Sequence, residues 1–211
     1  VPLSRAADGT ITTQFTMTTL EELGLLKMDF LGLRTLTVIQ NAVNMVRRKR
    51  PDLDMEKIDY NDQKVMDYIG TGKTDGIFQL ESAGMKNFMK ELKPHSLEDI
   101  IAGISLYRPG PMDFIPQYIR GKNDASSITY DCPQLKPILE PTYGCIVYQE
   151  QVMQIVRDLA GYTLGRSDLL RRAMSKKKGD VMQKERQIFV YGDEENNVPG
   201  CIKDGIDEKA A

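Results

Sequence analysis

QEQVMQIVRDLA, residues 149 to 160, decides the fold class. Val152, Ile155, Val156 and Leu159 recur three and four residues apart, so they share one face of an amphipathic helix. Downstream, Ser167 with Asp168 opens another helix, which continues through Arg171 and Arg172 toward three lysines. Upstream, residues 143 to 147 read as a strand or a turn. Ser96 is placed to cap a helix over 97 to 106. Shorter helices are expected over 84 to 92 and 61 to 69. YRPGPMDFIP, residues 107 to 116, carries three prolines and is expected to be an irregular, rigid loop.

The N-terminal quarter differs. Pro2 and Asp8-Gly9 are turn signals, and TITTQFT (10 to 16) has the β-branched content of a strand. Thr19 and Glu22 fit a capping box for a short helix over 19 to 24, closed by Gly24. LLKMDFLGL (25 to 33) reads as a buried strand with Asp29 near its end. A helix from Arg34 to Arg50 follows, its face set by Leu36, Ile39, Val43 and Val46 and its end by Pro51. No internal repeat is visible. The expected fold is mainly α, with a small β element at the N-terminal end.

Composition removes several function classes. One histidine, His95, excludes chemistry that needs several, such as zinc hydrolysis or a Ser-His-Asp triad. Cys132, Cys145 and Cys201 form no CxxC pair, which argues against a structural zinc or a disulfide framework and for a reducing, cytoplasmic setting. No apolar run approaches the roughly 18 residues that span a bilayer, so no membrane partner is expected. A chain that opens on Val1 and ends in DEKAA reads as a piece of something longer.

The net charge of −2 hides a polarised distribution. RSDLLRRAMSKKK, residues 166 to 178, holds six cations against one acid, Asp168. Arg172 and Lys176 stand four apart and Arg171 and Lys178 seven apart, so like charges share a helix face and repel. Either the stretch is an ordinary basic surface, or it receives a polyanion such as phosphate or a nucleic-acid backbone. Arg108 sits on the stiff RPGP loop, which suits ligand positioning and equally a capping or ion-pair role. GTGKT (70 to 74) suggests a phosphate loop, but Asp67 stands where the first glycine of that pattern belongs. A loop between helices is the better reading. Met85, Phe88, Met153 and Tyr162 are expected in the core, and His95 at the surface or in a cap. Asp29, among Leu, Met and Phe, calls for a partner: a cation, backbone N–H groups or a metal ion.

Five blocks in order then carry a resemblance: KMDFLGLRTLTVI, GIFQLESAGM (76 to 85), LYRPGPM (106 to 112), PTYGCIVYQEQVMQI (141 to 155) and AGYTLGRSDLLRRAMSKKK (160 to 178). Over about residues 1 to 190 the chain closely resembles the bacterial DNA polymerase III alpha subunit, the C-family replicative polymerase, in its shorter form without an inserted exonuclease. The resemblance implies that residues 1 to 34 end the polymerase palm and that residues 35 to 211 form most of a helical fingers domain. It implies that Asp29 is the third catalytic, metal-binding carboxylate, with two Mg²⁺ ions in the complete enzyme and the other ligands outside this chain. It further implies nucleotide-binding roles for Arg171 and Arg172, with Arg108, Tyr148, Gln149 and Lys176 near the same pocket. The implied activity is DNA-directed DNA polymerase, a nucleotidyltransferase that adds deoxynucleotides to a primer 3′-hydroxyl. This piece alone is expected to be inactive. Implied partners are primer-template DNA, a dNTP, and in the full-length protein the sliding clamp and other replicase subunits. A non-enzymatic nucleic-acid or nucleotide-binding module using residues 166 to 178 is the alternative.

Overall fold

The computed structural model describes residues 1–175 and 179–211. Its chain divides into two compact units, Val1–Lys57 and Ile58–Ala211. The described residues are mainly helical, and their one sheet is a two-stranded hairpin.

In the first unit, β1 (Leu3–Arg5) pairs antiparallel with β2 (Ile11–Thr13), with Ser4 opposite Thr12 and their hydroxyls 3.1 Å apart. The TITTQFT strand is therefore shorter than expected. α1 (Met17–Glu22) begins two residues before the capping-box position, with Thr16 as its N-cap. Gly24 ends it as foreseen: its positive φ of 80° allows the Gly24 and Leu25 N–H groups to turn back onto the Glu21 and Leu20 carbonyls. α2 (Arg34–Arg47) stops one turn short of Pro51 and buries only Val43.

Residues 25 to 33 depart from the buried strand that their composition suggests. They have no regular secondary structure, and Leu26, Phe30 and Leu31 are 91%, 93% and 92% exposed. A strand needs a neighbour's backbone to complete its ladder. Among the described residues the only strands pair with each other, so these apolar side chains have no sheet to lie in.

The second unit holds two apolar cores. Its first half contains α3 (Gln63–Gly70), α4 (Ala83–Leu92), α5 (Leu97–Leu106) and α6 (Ile115–Asn123). Asp62, Ser82 and Ser96 cap the first three, each side chain accepting a backbone N–H one turn on. Met85, Phe88, Met89, Leu92, Ala102, Leu106 and Tyr118 close the core between them. A buried ion pair locks the ends of three helices together. Asp99 Oδ2 lies 3.3 Å from Lys122 Nζ and accepts the His95 N–H at 2.8 Å, while Lys122 also donates to the Lys93 carbonyl at 2.9 Å. Both charges thus keep the partners that burial demands. His95 serves through its backbone, consistent with a capping position.

One loop departs from expectation, and GTGKT is the inter-helix loop expected. Residues 111 to 114 form a 3-10 turn that runs directly into α6, with Pro116 in the first turn. Proline lacks an N–H that the first turn would leave unpaired anyway, so it starts a helix rather than breaking one. In GTGKT, the Thr71 and Gly72 N–H groups bond to carbonyls of α3, and Thr74 is fully buried with its hydroxyl on the Leu80 carbonyl. Amides committed in this way do not cradle a phosphate.

The second half contains α7 (Lys136–Leu139), α8 (Gln149–Ala160), α9 (Leu164–Ser175) and α10 (Gly179–Tyr191). Ile155, Val156, Leu159, Leu170 and Ile188 meet in its core, joined by Tyr162. The 143 to 147 stretch is a turn, with Tyr143 and Gly144 both at positive φ. Gly161 closes α8 at φ 72°, and a Cβ there would lie 2.3 Å from the Pro199 ring. The acidic tail folds back on the helices: Gly200, Cys201 and Ile202 donate backbone bonds to Ala160, Phe189 and Val190. Of the residues assigned to the core from sequence, Met85, Phe88 and Tyr162 are buried and Met153 half-buried.

All three cysteines are buried and unpaired. Burial pushes the Cys201 thiol up to about 11 and also raises Cys145. Since the thiolate is the reactive species, the thiols of the folded chain are expected to react with Ellman's reagent at pH 8 about tenfold or more slowly than in guanidinium chloride. Equal rates in the two conditions would contradict this packing.

Candidate functional site

Four of the predicted site residues lie on α8 and α9 or at their ends. Tyr148 is the N-cap of α8 and Gln149 its first residue, while Arg171 and Arg172 stand on the third turn of α9. Arg171 Nη1 donates to Gln149 Oε1 at 3.0 Å, so the fold brings these two together. Asp168 completes the cluster. Its Oδ1 accepts from Arg171 Nε at 3.0 Å and Nη2 at 2.7 Å, and its Oδ2 lies 2.8 Å from Arg172 Nε. Hydrogen bonding from Arg171, reinforced by the positive charges of both arginines, holds the Asp168 carboxyl below its usual range. The carboxylate therefore stays ionised at neutral pH. Arg172 is the open member, its side chain 64% exposed and its terminal nitrogens without a partner among the described residues.

The start of α8 is held by an amide whose capacity is filled. Gln151 Oε1 accepts from the Val147 and Tyr148 N–H groups at 2.8 and 2.9 Å. Its Nε2 donates to the Ile138 carbonyl at 3.2 Å and the Thr142 hydroxyl at 2.7 Å. The Thr142 hydroxyl in turn donates to the Cys145 carbonyl at 2.6 Å. A buried network satisfied at every member rigidifies its surroundings. It fixes the backbone that leads into α8 just before Gln149.

The start of α9 is held by Arg166. Its guanidinium lies 5.0 Å from the Tyr162 ring centroid, 3.3 Å from Glu185 on α10 and 3.6 Å from Asp193 beyond it. The Tyr162 hydroxyl donates to Glu185 at 2.8 Å, and burial together with that carboxylate raises the tyrosine well above its ordinary value. α9 consequently begins at Leu164 rather than at Ser167. The Thr163 hydroxyl accepts the Arg166 N–H at 3.3 Å, and Ser167 is buried against the Thr163 carbonyl.

Tyr148, although it caps α8, does not join the Asp168 cluster. Tyr148 is half-buried against the α3–α6 core, and burial followed by the charges of Glu98 and Asp99 raises its hydroxyl. Arg108 is exposed on its loop, and among the described residues its guanidinium has no partner. Lys176 lies outside the described residues, as do Lys177 and Lys178. Asp29, in the first unit, is 76% exposed and 3.2 Å from Lys27, so its immediate partner is an ammonium group. That donor set does not make a magnesium site, which needs several hard oxygen ligands. Among the described residues no three His, Cys, Asp or Glu side chains converge on a common point.

α9 is thus a basic helix braced by its own acid, with one guanidinium left open to solvent. Residues 35–197 match the bacterial DNA polymerase III alpha subunit finger domain. The chain belongs to that family. It is 48% identical over 203 residues to the DNA polymerase III subunit alpha of Borreliella burgdorferi, covering 96% of this chain and 17% of that protein. It is 50% identical to the subunit of Staphylococcus aureus strain MRSA252 over 196 residues, 92% of this chain and 18% of the relative. The Bacillus subtilis subunit is 50% identical over 193 residues, 91% and 17% respectively. The chain thus spans under a fifth of the length of these curated relatives. No described helix is long and apolar enough to cross a membrane.

Asp168 was legible in advance, because an acid three and four residues before two arginines is a helical ion-pair pattern. Arg166 was not, since Glu185 and Asp193 reach it only through the tertiary fold. If Arg166 carries this junction, Arg166→Ala, which strands two partly buried carboxylates, should lower stability by about 3 kcal/mol. Chemical denaturation of the chain would measure the loss. A loss under about 0.5 kcal/mol would place Arg166 among ordinary surface ion pairs.

Proposed function

We propose that this chain is the fingers segment, with the end of the palm, of a replicative DNA-directed DNA polymerase, and that the outer face of α9 receives the triphosphate of the incoming deoxynucleotide. The observation that carries the proposal is the open guanidinium of Arg172 on a helix held near its start by Arg166 and on its third turn by Gln149, within a chain of the polymerase III finger family. Rigid placement of a planar cation is what phosphate recognition requires, because a guanidinium can bind two phosphate oxygens at once.

The reaction in this reading joins the primer 3′-hydroxyl oxygen to the α-phosphorus and releases pyrophosphate. The pyrophosphate end carries most of the nucleotide's negative charge. Arg171 and Arg172 neutralise part of that charge and hold the group in line for displacement. Gln149 sets the rotamer of Arg171. Arg108 and Tyr148 belong to the periphery of the same pocket, and Lys176 extends its positive field. Asp29 contributes one of three carboxylates of the whole polymerase that hold two Mg²⁺ ions. Those ions supply the charge stabilisation that a polymerase generally uses. The remaining ligands come from outside this chain, and so do the contacts to primer-template DNA, the sliding clamp and the other replicase subunits. The chain by itself is therefore expected to show no template-directed synthesis.

In the full-length polymerase, Arg172→Ala should lower kcat/KM for each dNTP by about tenfold or more while primer-template affinity stays within about twofold. Single-nucleotide incorporation on a defined primer measures the first, and anisotropy of a labelled duplex the second. Unaltered incorporation kinetics would remove α9 from the nucleotide site. A parallel, salt-steep loss of DNA affinity would instead favour a backbone-binding role for the basic stretch. Asp29→Asn is expected to abolish extension, and retained extension would refute its metal role.

A further inference from the structure

Two arginines adjacent in sequence on a helix project about 100° apart and repel one another, so nothing in α9 alone brings their forks to one ligand. Their flexible stems carry rotamer entropy that a ligand would have to remove on arrival. The structure shows both already engaged by one side chain. Asp168 divides its oxygens, Oδ1 taking Nε and Nη2 of Arg171 and Oδ2 taking Nε of Arg172. Arg171 is held a second time by Gln149. Because Asp168 grips Arg172 only through Nε, the terminal nitrogens of Arg172 still face outward.

We propose that Asp168 is the positioning residue of the nucleotide site: its single carboxylate sets the rotamers of both Arg171 and Arg172 before the triphosphate arrives. The proposal rests on the phosphate-binding reading of α9 and adds to it a residue that need touch no substrate. Two charges balanced by one leave a net positive site, strong enough to attract phosphate yet ordered before binding. Pre-ordering removes part of the entropic penalty of association, so its loss appears in nucleotide affinity.

The test is a double-mutant cycle in the full-length polymerase, with single-nucleotide incorporation as the readout. Asp168→Asn keeps the size of the side chain but replaces one acceptor oxygen with an amide donor. It should raise KM for dNTP about tenfold with kcat within about threefold of wild type. Asp168→Glu, which keeps the charge, should return KM to within about threefold, an effect that a purely structural role would not require. With Arg171 and Arg172 replaced by Ala together as one arm of the cycle, Asp168→Asn should change KM by less than about threefold, because both guanidiniums it positions are gone. Additive losses in the combined variant would overturn the proposal, as would a KM for Asp168→Asn equal to that of wild type. Failure of Asp168→Glu to restore KM would overturn it too. The underlying reading fails separately: if neither Arg171→Ala nor Arg172→Ala alters dNTP kinetics, α9 is not the phosphate site at all.

Discussion

Adjacent guanidiniums on one helix repel, and α9 tolerates them because an acid stands one turn earlier. Asp168 is ionised, accepts from Arg171, forms an ion pair with Arg172 and leaves that second arginine open to solvent. Without it the helix would carry uncompensated like charges on its third turn, the arrangement that weakens isolated helices. The chemistry proposed for this surface depends on that balance between charge kept for a ligand and charge spent on order.

Order at the cluster has to come from somewhere, and two buried polar junctions supply it. At one, Gln151 uses both lone pairs and both amide hydrogens to bind the turn before α8 to α7 and its neighbours. At the other, Arg166 ties α9 to Tyr162, Glu185 and Asp193. Each places polar groups where desolvation penalises any left unpaired, and of these Arg166 Nε alone is buried without a partner among the described residues. A shift of either helix would break several bonds together. That is a reason for the unit to hold one arrangement rather than a range of similar ones.

The sequence was most informative where physics is local. The face of α8 follows from apolar spacing, and the end of α1 from one glycine. The cap of α5 follows from Ser96. Local pattern misled where a partner was needed. Residues 25 to 33 have the composition of a buried strand, yet no described strand pairs with them. α10 was not foreseen, because its buried residues Ile188 and Val190 lie two apart and show no helical repeat. The first turn of α9 was misplaced since Gly165 looks like a break, whereas Thr163 and Ser167 bond across it. At the candidate site, the arginines and Gln149 were found through family likeness. Asp168 needed only the arithmetic of helical spacing, and Arg166 needed the fold.

The meeting of Gly161 with Pro199 has an evolutionary corollary. Position 161 needs a left-handed backbone, and any side chain there would occupy the volume of the proline ring. Neither constraint can be relieved by moving the ring, because the adjacent Gly200 N–H is tied to Ala160. Replacing the proline alone would therefore not free position 161, so the glycine should persist across descendants even where residue 199 varies.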